Sequence, residues 1–234
     1  HAHPNIADYR HIEAQYRLNP PKPCLNAEAN FEECPMFYLF TESDRPPYEP
    51  LFSAYDVRKC LYRSVLAGGA GFAYGCEPIR QLHREGDRIH VYPHYAMPEW
   101  TEVLETPGAS QMKRLPQWLL QRNYQTRVPA QELWLPRSRF IGAGMDFEVP
   151  ENRHPIGHVR VARCAEGGYL LAYCAVRQVV ELDTSGLASK RLQVSLYDPE
   201  TGACTARWDY ANKGVCTVIP QRDLDSFIAV DAMP

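Results

Sequence analysis

A chain of 234 residues with 45% hydrophobic and 23% charged residues has enough apolar side chain to bury a sizeable core. That composition excludes an extended disordered polymer. A formal net charge of -3 without a long basic run excludes the electrostatic footprint of a nucleic-acid binder, and no apolar run is long enough to span a bilayer.

The chain opens on His1 rather than Met, and a helix pattern follows almost at once, so the amino-terminal part of a larger protein is expected to precede it. A secreted or periplasmic location is expected if that part carries a signal peptide. His1-Ala2-His3 has the spacing of a metal-ligand pair at a strand end, yet further ligands with matching context are missing. No metal and no cofactor is therefore expected, and the two histidines are read as groups that project from a strand end toward substrate.

Asn5 can cap a helix in which Ile6, Tyr9, Ile12 and Tyr16 form one buried stripe, and Pro20-Pro21 stops it. Lys22 to Phe31 then predicts a short strand that delivers Glu28 to its end. Alternation puts Cys24, Asn26 and Glu28 on one face, expected to look inward, and Leu25, Ala27 and Ala29 on the face that packs against helices. By spacing alone, Glu28 is either an ordinary solvated carboxylate or a catalytic group at a strand end. Asn30 to Phe52, rich in proline and in Phe31, Phe37, Tyr38, Phe40 and Tyr48, predicts a long aromatic loop. Glu32 and Glu33 in that loop are possible second carboxylates, with surface charge or a hydrogen bond to ligand as the favoured role.

Ser53-Ala54-Tyr55-Asp56 has the form of a capping box, followed by the apolar stripe Val57, Cys60, Leu61 and Val65 and a stop at Gly68-Gly69. Gly71 to Gly75 predicts the next strand. A long loop with His83, His90, His94 and Trp100 leads to a helix opened by Pro107, in which Pro116 predicts a break. Beyond Arg127 the period changes to short β-prone runs: 158–164, 169–176, 179–183, 192–197, 204–208, 215–219 and 227–230, with Gly-rich turns between them. Cys164 and Cys174 flank one such turn and could face each other across a hairpin.

The pattern predicts an α/β unit over residues 1–125, a linker over 126–138 and a small antiparallel β-sandwich over 139–234. The order KPCLNAEANFEE, YDVRKCLYRSVLAGGAGFAYG and PGASQM, followed by a small β-domain, resembles the carboxyl-terminal part of apiosidase-like glycoside hydrolases with their collagen-binding-type companion domain. The resemblance implies the last part of a TIM-type (β/α)8 barrel, a carbohydrate substrate of plant type and a two-carboxylate mechanism. It makes Glu28 a catalytic carboxylate, with the acid/base partner on an earlier strand. It also implies substrate contacts for His1, His3, Asn26, Glu32, Tyr74 and Gln111. The segment CEPIRQLH departs from the family, where a Trp is common, and a binding module without catalysis is the rival reading.

Overall fold

The structure is a computed structural model that describes residues 8–20, 22–36, 50–88, 95–135 and 157–234. His1, His3, the aromatic residues 37–48, His90 and His94 lie outside the described residues. Helix α1 (Asp8–Tyr16) buries Tyr9 and Ile12 as their spacing predicts, and strand β1 (Leu25–Asn26) follows. Helix α2 (Ala54–Leu66) starts at the expected box: the Ser53 amide and hydroxyl both donate to Asp56 Oδ2, at 3.0 and 2.9 Å. Strand β2 (Gly71–Phe72) pairs in parallel with β1, with Leu25 opposite Gly71 and Asn26 opposite Phe72.

The predicted faces of β1 are reversed. Cys24 Sγ donates to the Ile12 carbonyl of α1, and Asn26 Nδ2 donates to Ser64 Oγ of α2 at 3.0 Å, so this face meets the helices. Leu25, by contrast, is 57% exposed. Alternation holds with the opposite sense, because small polar side chains here find hydrogen-bond partners on the helices and can be buried at little cost.

Three short helices follow: α3 (Glu77–Gln81), α4 (Pro107–Gln111) and α5 (Arg114–Leu119). The first occupies a stretch expected as loop, and Pro78 near its start suits the first turn, where a proline lacks no needed donor. The break between α4 and α5 falls just before Pro116, as predicted.

The second half is antiparallel. Strands β3 (Arg127–Pro129), β4 (Val159–Cys164), β5 (Tyr169–Cys174), β7 (Arg191–Tyr197), β8 (Cys204–Ala211) and β10 (Ser226–Ala232) form one sheet in the order β3-β4-β5-β10-β7-β8. Strands β6 (Val180–Asp183) and β9 (Val215–Val218) form a second, two-stranded sheet. The stretch 126–138, expected as a linker, thus supplies the edge strand β3. Cys164 and Cys174 do not meet: in the β4–β5 register Cys174 lies opposite Val159, while Cys164 lies opposite Arg127 of β3. All eight cysteines are free thiols.

Period-two alternation sends the large sheet into two cores. Val161, Leu170, Cys174, Val194, Ile228 and Val230 face β6 and β9. Leu171, Tyr173, Tyr197, Phe227 and Ala229 face the other way, onto Leu61, Tyr62 and Leu66 of α2 and Leu115 and Trp118 of α5. Trp118 stacks on Phe227 with centroids 5.0 Å apart, and Tyr62 on Tyr173 at 4.7 Å. The helices and the sheet therefore share one hydrophobic core.

Polar contacts reinforce that junction. Arg63 Nη2 donates to the His158 carbonyl at 3.0 Å, Arg127 Nη2 to the Gly69 carbonyl at 2.9 Å, and Arg160 pairs with Glu13 at 3.0 Å. Tyr9 lies flat on the His158 ring at 4.7 Å.

Candidate active site

Parallel strands leave their carboxyl ends on one side, and loops that leave those ends are where an α/β unit carries its chemistry. Glu28 sits there, exposed, in the bend two residues beyond β1. Four residues on, Glu32 is only 2% exposed. The backbone fixes Glu32 first: its amide donates to the Gly75 carbonyl at 2.9 Å, and its carbonyl accepts from the Glu77 amide at 2.9 Å. The loops after β1 and β2 thus rejoin as a single parallel bridge between Glu32 and Cys76.

The carboxylate of Glu32 is then held by two donors. Tyr74 Oη donates to Oε2 at 2.7 Å, and the Gly108 amide donates to Oε1 at 3.1 Å. Thr106 Oγ1 lies 2.8 Å from Tyr74 Oη on the other side. Burial, together with the adjacent Glu32 carboxylate, drives the Tyr74 phenol far above its ordinary value, so it stays a proton donor at any physiological pH. Thr106 then donates to Tyr74, which donates to Glu32. Gly108 is required by space: a Cβ there would fall 2.1 Å from Glu32 Oε2. Gly108→Ala is accordingly expected to expel Glu32 from its site and to cost about 1–3 kcal/mol, measured as a lower denaturant midpoint at unchanged slope.

Other acidic and nucleophilic groups crowd around this pair. Glu33, in a left-handed turn at φ 61°, has its carboxyl raised above the ordinary value of 4.5 by burial and by the charge of Glu32. Burial raises the Cys76 thiol to about 11, so it is not a thiolate nucleophile. Tyr95 Oη is buried without a hydrogen-bond partner among the described residues, and both amide atoms of buried Asn30 are in the same state. Glu77, wholly buried, is neutralised by Arg80, which reaches it through Nε at 2.8 Å and Nη2 at 2.5 Å. Arg80 in turn lies over the Phe31 ring at 5.2 Å.

A raised folded-state carboxyl ionises later than its unfolded counterpart, so its stabilising contribution is complete below pH 4.5 and disappears as pH rises through the folded value. Glu33→Gln is therefore expected to raise the thermal midpoint at pH 7 and to leave it unchanged at pH 4. Melting curves at the two pH values check this.

Of the sequence-selected residues, the structure brings Glu32 and Tyr74 into direct contact and leaves Glu28 exposed nearby in sequence. Asn26 is buried against α2, and Gln111 is buried with Oε1 accepting from Arg58 Nη1 at 2.8 Å. His83 is buried, its Nδ1 3.0 Å from the Pro98 carbonyl. Thr106, Gly108, Tyr95 and Glu77 were missed. A threonine before Pro107 is a helix-start signal that could have found Thr106 and Gly108; Tyr95 carries no such signal. A cavity of about 780 Å³ lies between α2, β2 and α5, largely apolar, and takes in Tyr74 but not Glu28. Among the described residues no cluster of His, Cys, Asp and Glu has the arrangement of a metal site, and no helix is long and apolar enough to cross a membrane.

The fold is similar to that of two solved structures described as glycoside hydrolases. One structure described as a glycoside hydrolase superposes with a TM-score of 0.76 at 24% identity, covering 97% of this chain and 46% of that one. A glycoside hydrolase family 5 protein from Bacteroides vulgatus gives 0.78 at 23% identity, covering 97% and 45%. The chain therefore spans less than half the length of these structures. No curated protein matches it in sequence. It belongs to the apiosidase-like family: the model of the apiosidase-like catalytic domain matches residues 1–126. Residues 148–226 match the model described as "Putative collagen-binding domain of a collagenase".

Proposed function

We propose that the chain is the carboxyl-terminal part of a glycosidase that removes terminal sugars from plant-type glycans with two carboxylates, Glu28 being the nucleophile. The observation that carries this is the exposure of Glu28 at the carboxyl end of β1, four residues before a buried carboxylate that two donors hold in place. Glycoside hydrolysis needs one carboxyl to protonate the leaving oxygen and another to attack the anomeric carbon or to activate water. Glu32 is unsuited to either part, since its two oxygens accept from Tyr74 and Gly108 and it is closed to solvent. Its role in this reading is to hold the loop that bears Glu28.

Residues 1–125 are then the last part of a (β/α)8 barrel and residues 139–234 a companion β-sandwich, a division supported by family models that meet the chain at 1–126 and 148–226. The acid/base belongs on a barrel strand outside these residues, so hydrolysis by this chain alone is expected to be weak or nil. Among the proposed substrate contacts, Tyr74 is partly open, His1 and His3 lie outside the described residues, and Asn26 and Gln111 are buried against Ser64 and Arg58, which leaves them a supporting role. Retention of configuration follows if Glu28 attacks the sugar directly.

The test is hydrolysis of aryl glycosides and plant oligosaccharides by a protein that carries the whole catalytic unit. Release of sugar supports the reading; retention of collagen or glycan with no hydrolysis of any substrate replaces it with a binding module. The match over 148–226 is the observation that favours this second reading.

A further inference from the structure

Arg58 and Asp225 form a buried ion pair between α2 and the start of β10. Their side chains are 3% and 0% exposed, and the pairing is bidentate: Nε to Oδ2 at 2.7 Å and Nη2 to Oδ1 at 2.8 Å. Tyr173 Oη from β5 donates to Oδ2 as well, at 2.9 Å. Replacing such a pair by apolar side chains is often neutral or stabilising, so its presence calls for a role other than stability. The remaining nitrogen of Arg58 supplies one. Nη1 donates to Gln111 Oε1 at 2.8 Å, and Gln111 is the last residue of α4.

At the other end of that one-turn helix, the Gly108 amide holds Glu32, and Thr106 before it faces Tyr74. The connection is unbroken: Tyr173 and Asp225 on the sheet, Arg58 on α2, Gln111 and Gly108 on α4, then Glu32 and Tyr74 at the strand ends. A five-residue helix has little stability of its own, so its placement must come from such contacts. The guanidinium is planar, and its in-plane donors engage Asp225 through Nε and Nη2 and Gln111 through Nη1, which fixes the orientation as well as the distance of what it holds.

We infer that Asp225 is a positioning residue for the strand-end site: through Arg58 and Gln111 it sets α4, and α4 sets the Glu32–Tyr74 pair on which the Glu28 loop rests. The companion β-unit is in that case a working part of the site and not an appended binding module. This inference rests on the glycosidase reading for its catalytic consequence, but its mechanical part can be read without activity.

Amide hydrogen exchange by NMR at Gly108, Gln111 and Met112 is the measurement, on residues 1–234 with Gln111→Met, Tyr173→Phe and Asp225→Asn, and with Arg191→Gln as a surface control. Gln111→Met keeps the ion pair and cuts only its link to α4, so it remains decisive if Asp225→Asn does not fold. The expected result is exchange at least about tenfold faster at these three amides in Gln111→Met, with amides of β5 and β10 unchanged and the control identical to the parent. In a protein with the whole catalytic unit, the same substitution is expected to lower kcat about ten- to a hundredfold with little change in KM. Unchanged exchange at Gly108 in every variant overturns the inference, and so does faster exchange spread evenly over the molecule. A local exchange response in residues 1–234, with no hydrolysis of any glycoside by a protein that carries the whole catalytic unit, sinks the glycosidase reading while leaving the coupling intact.

Discussion

Glu28→Gln is expected to lower kcat for aryl glycosides by at least about 10³-fold, equivalent to roughly 4 kcal/mol of transition-state stabilisation. The amide is nearly the same size and cannot attack an anomeric carbon or take a proton, so fold and substrate affinity should survive. Exposure of Glu28 favours that outcome, because water solvates the amide in place of the carboxylate. The assay needs a protein with both carboxylates, with the melting temperature recorded in parallel. Activity equal to the parent removes Glu28 from the mechanism. Loss of activity together with loss of fold says nothing for catalysis, and the near-isosteric amide is chosen to avoid it.

Asp225→Ala is expected to destabilise the protein by about 3–5 kcal/mol, measured by urea denaturation at pH 7. The magnitude comes from what is left behind. Arg58 would keep its charge in a place that is 3% open to water, and Tyr173 Oη would lose its acceptor. The exposed pair Arg191–Asp209, also bidding for stability on the sheet, is 66% and 54% open and should matter by less than about 1 kcal/mol when broken. A small effect at Asp225 would mean that water or a rearranged side chain compensates Arg58, and the positioning role would lose its physical basis.

The elements of local origin were legible in the sequence. The Ser53–Asp56 box, the stripe of Val57, Cys60, Leu61 and Val65, and the alternating runs of β4, β5 and β7 depend on neighbours within a few residues. Motif order was legible too, since three short segments in sequence carried the family resemblance that the family model over 1–126 bears out. The sense of the β1 alternation was not. Whether Asn26 or Leu25 meets the helices depends on Ser64, 38 positions away. Strand β3 lay hidden in an apparent linker for a similar reason: three residues with one proline have no period, and only the β4 edge makes them a strand.

Charge, core-forming capacity, helix starts, the run of short strands and the position of Glu28 near a strand end follow from the order of residues alone, because each is set by side-chain chemistry or by contacts between close neighbours. Which carboxylate is buried and which stays open, and that Asp225 reaches the strand ends through Arg58 and Gln111, were decided only when segments up to 167 residues apart came together. Burial and hydrogen-bond partnership are properties of the assembled surroundings, so two glutamates four residues apart could not be told apart until the loops after β1 and β2 closed around one of them.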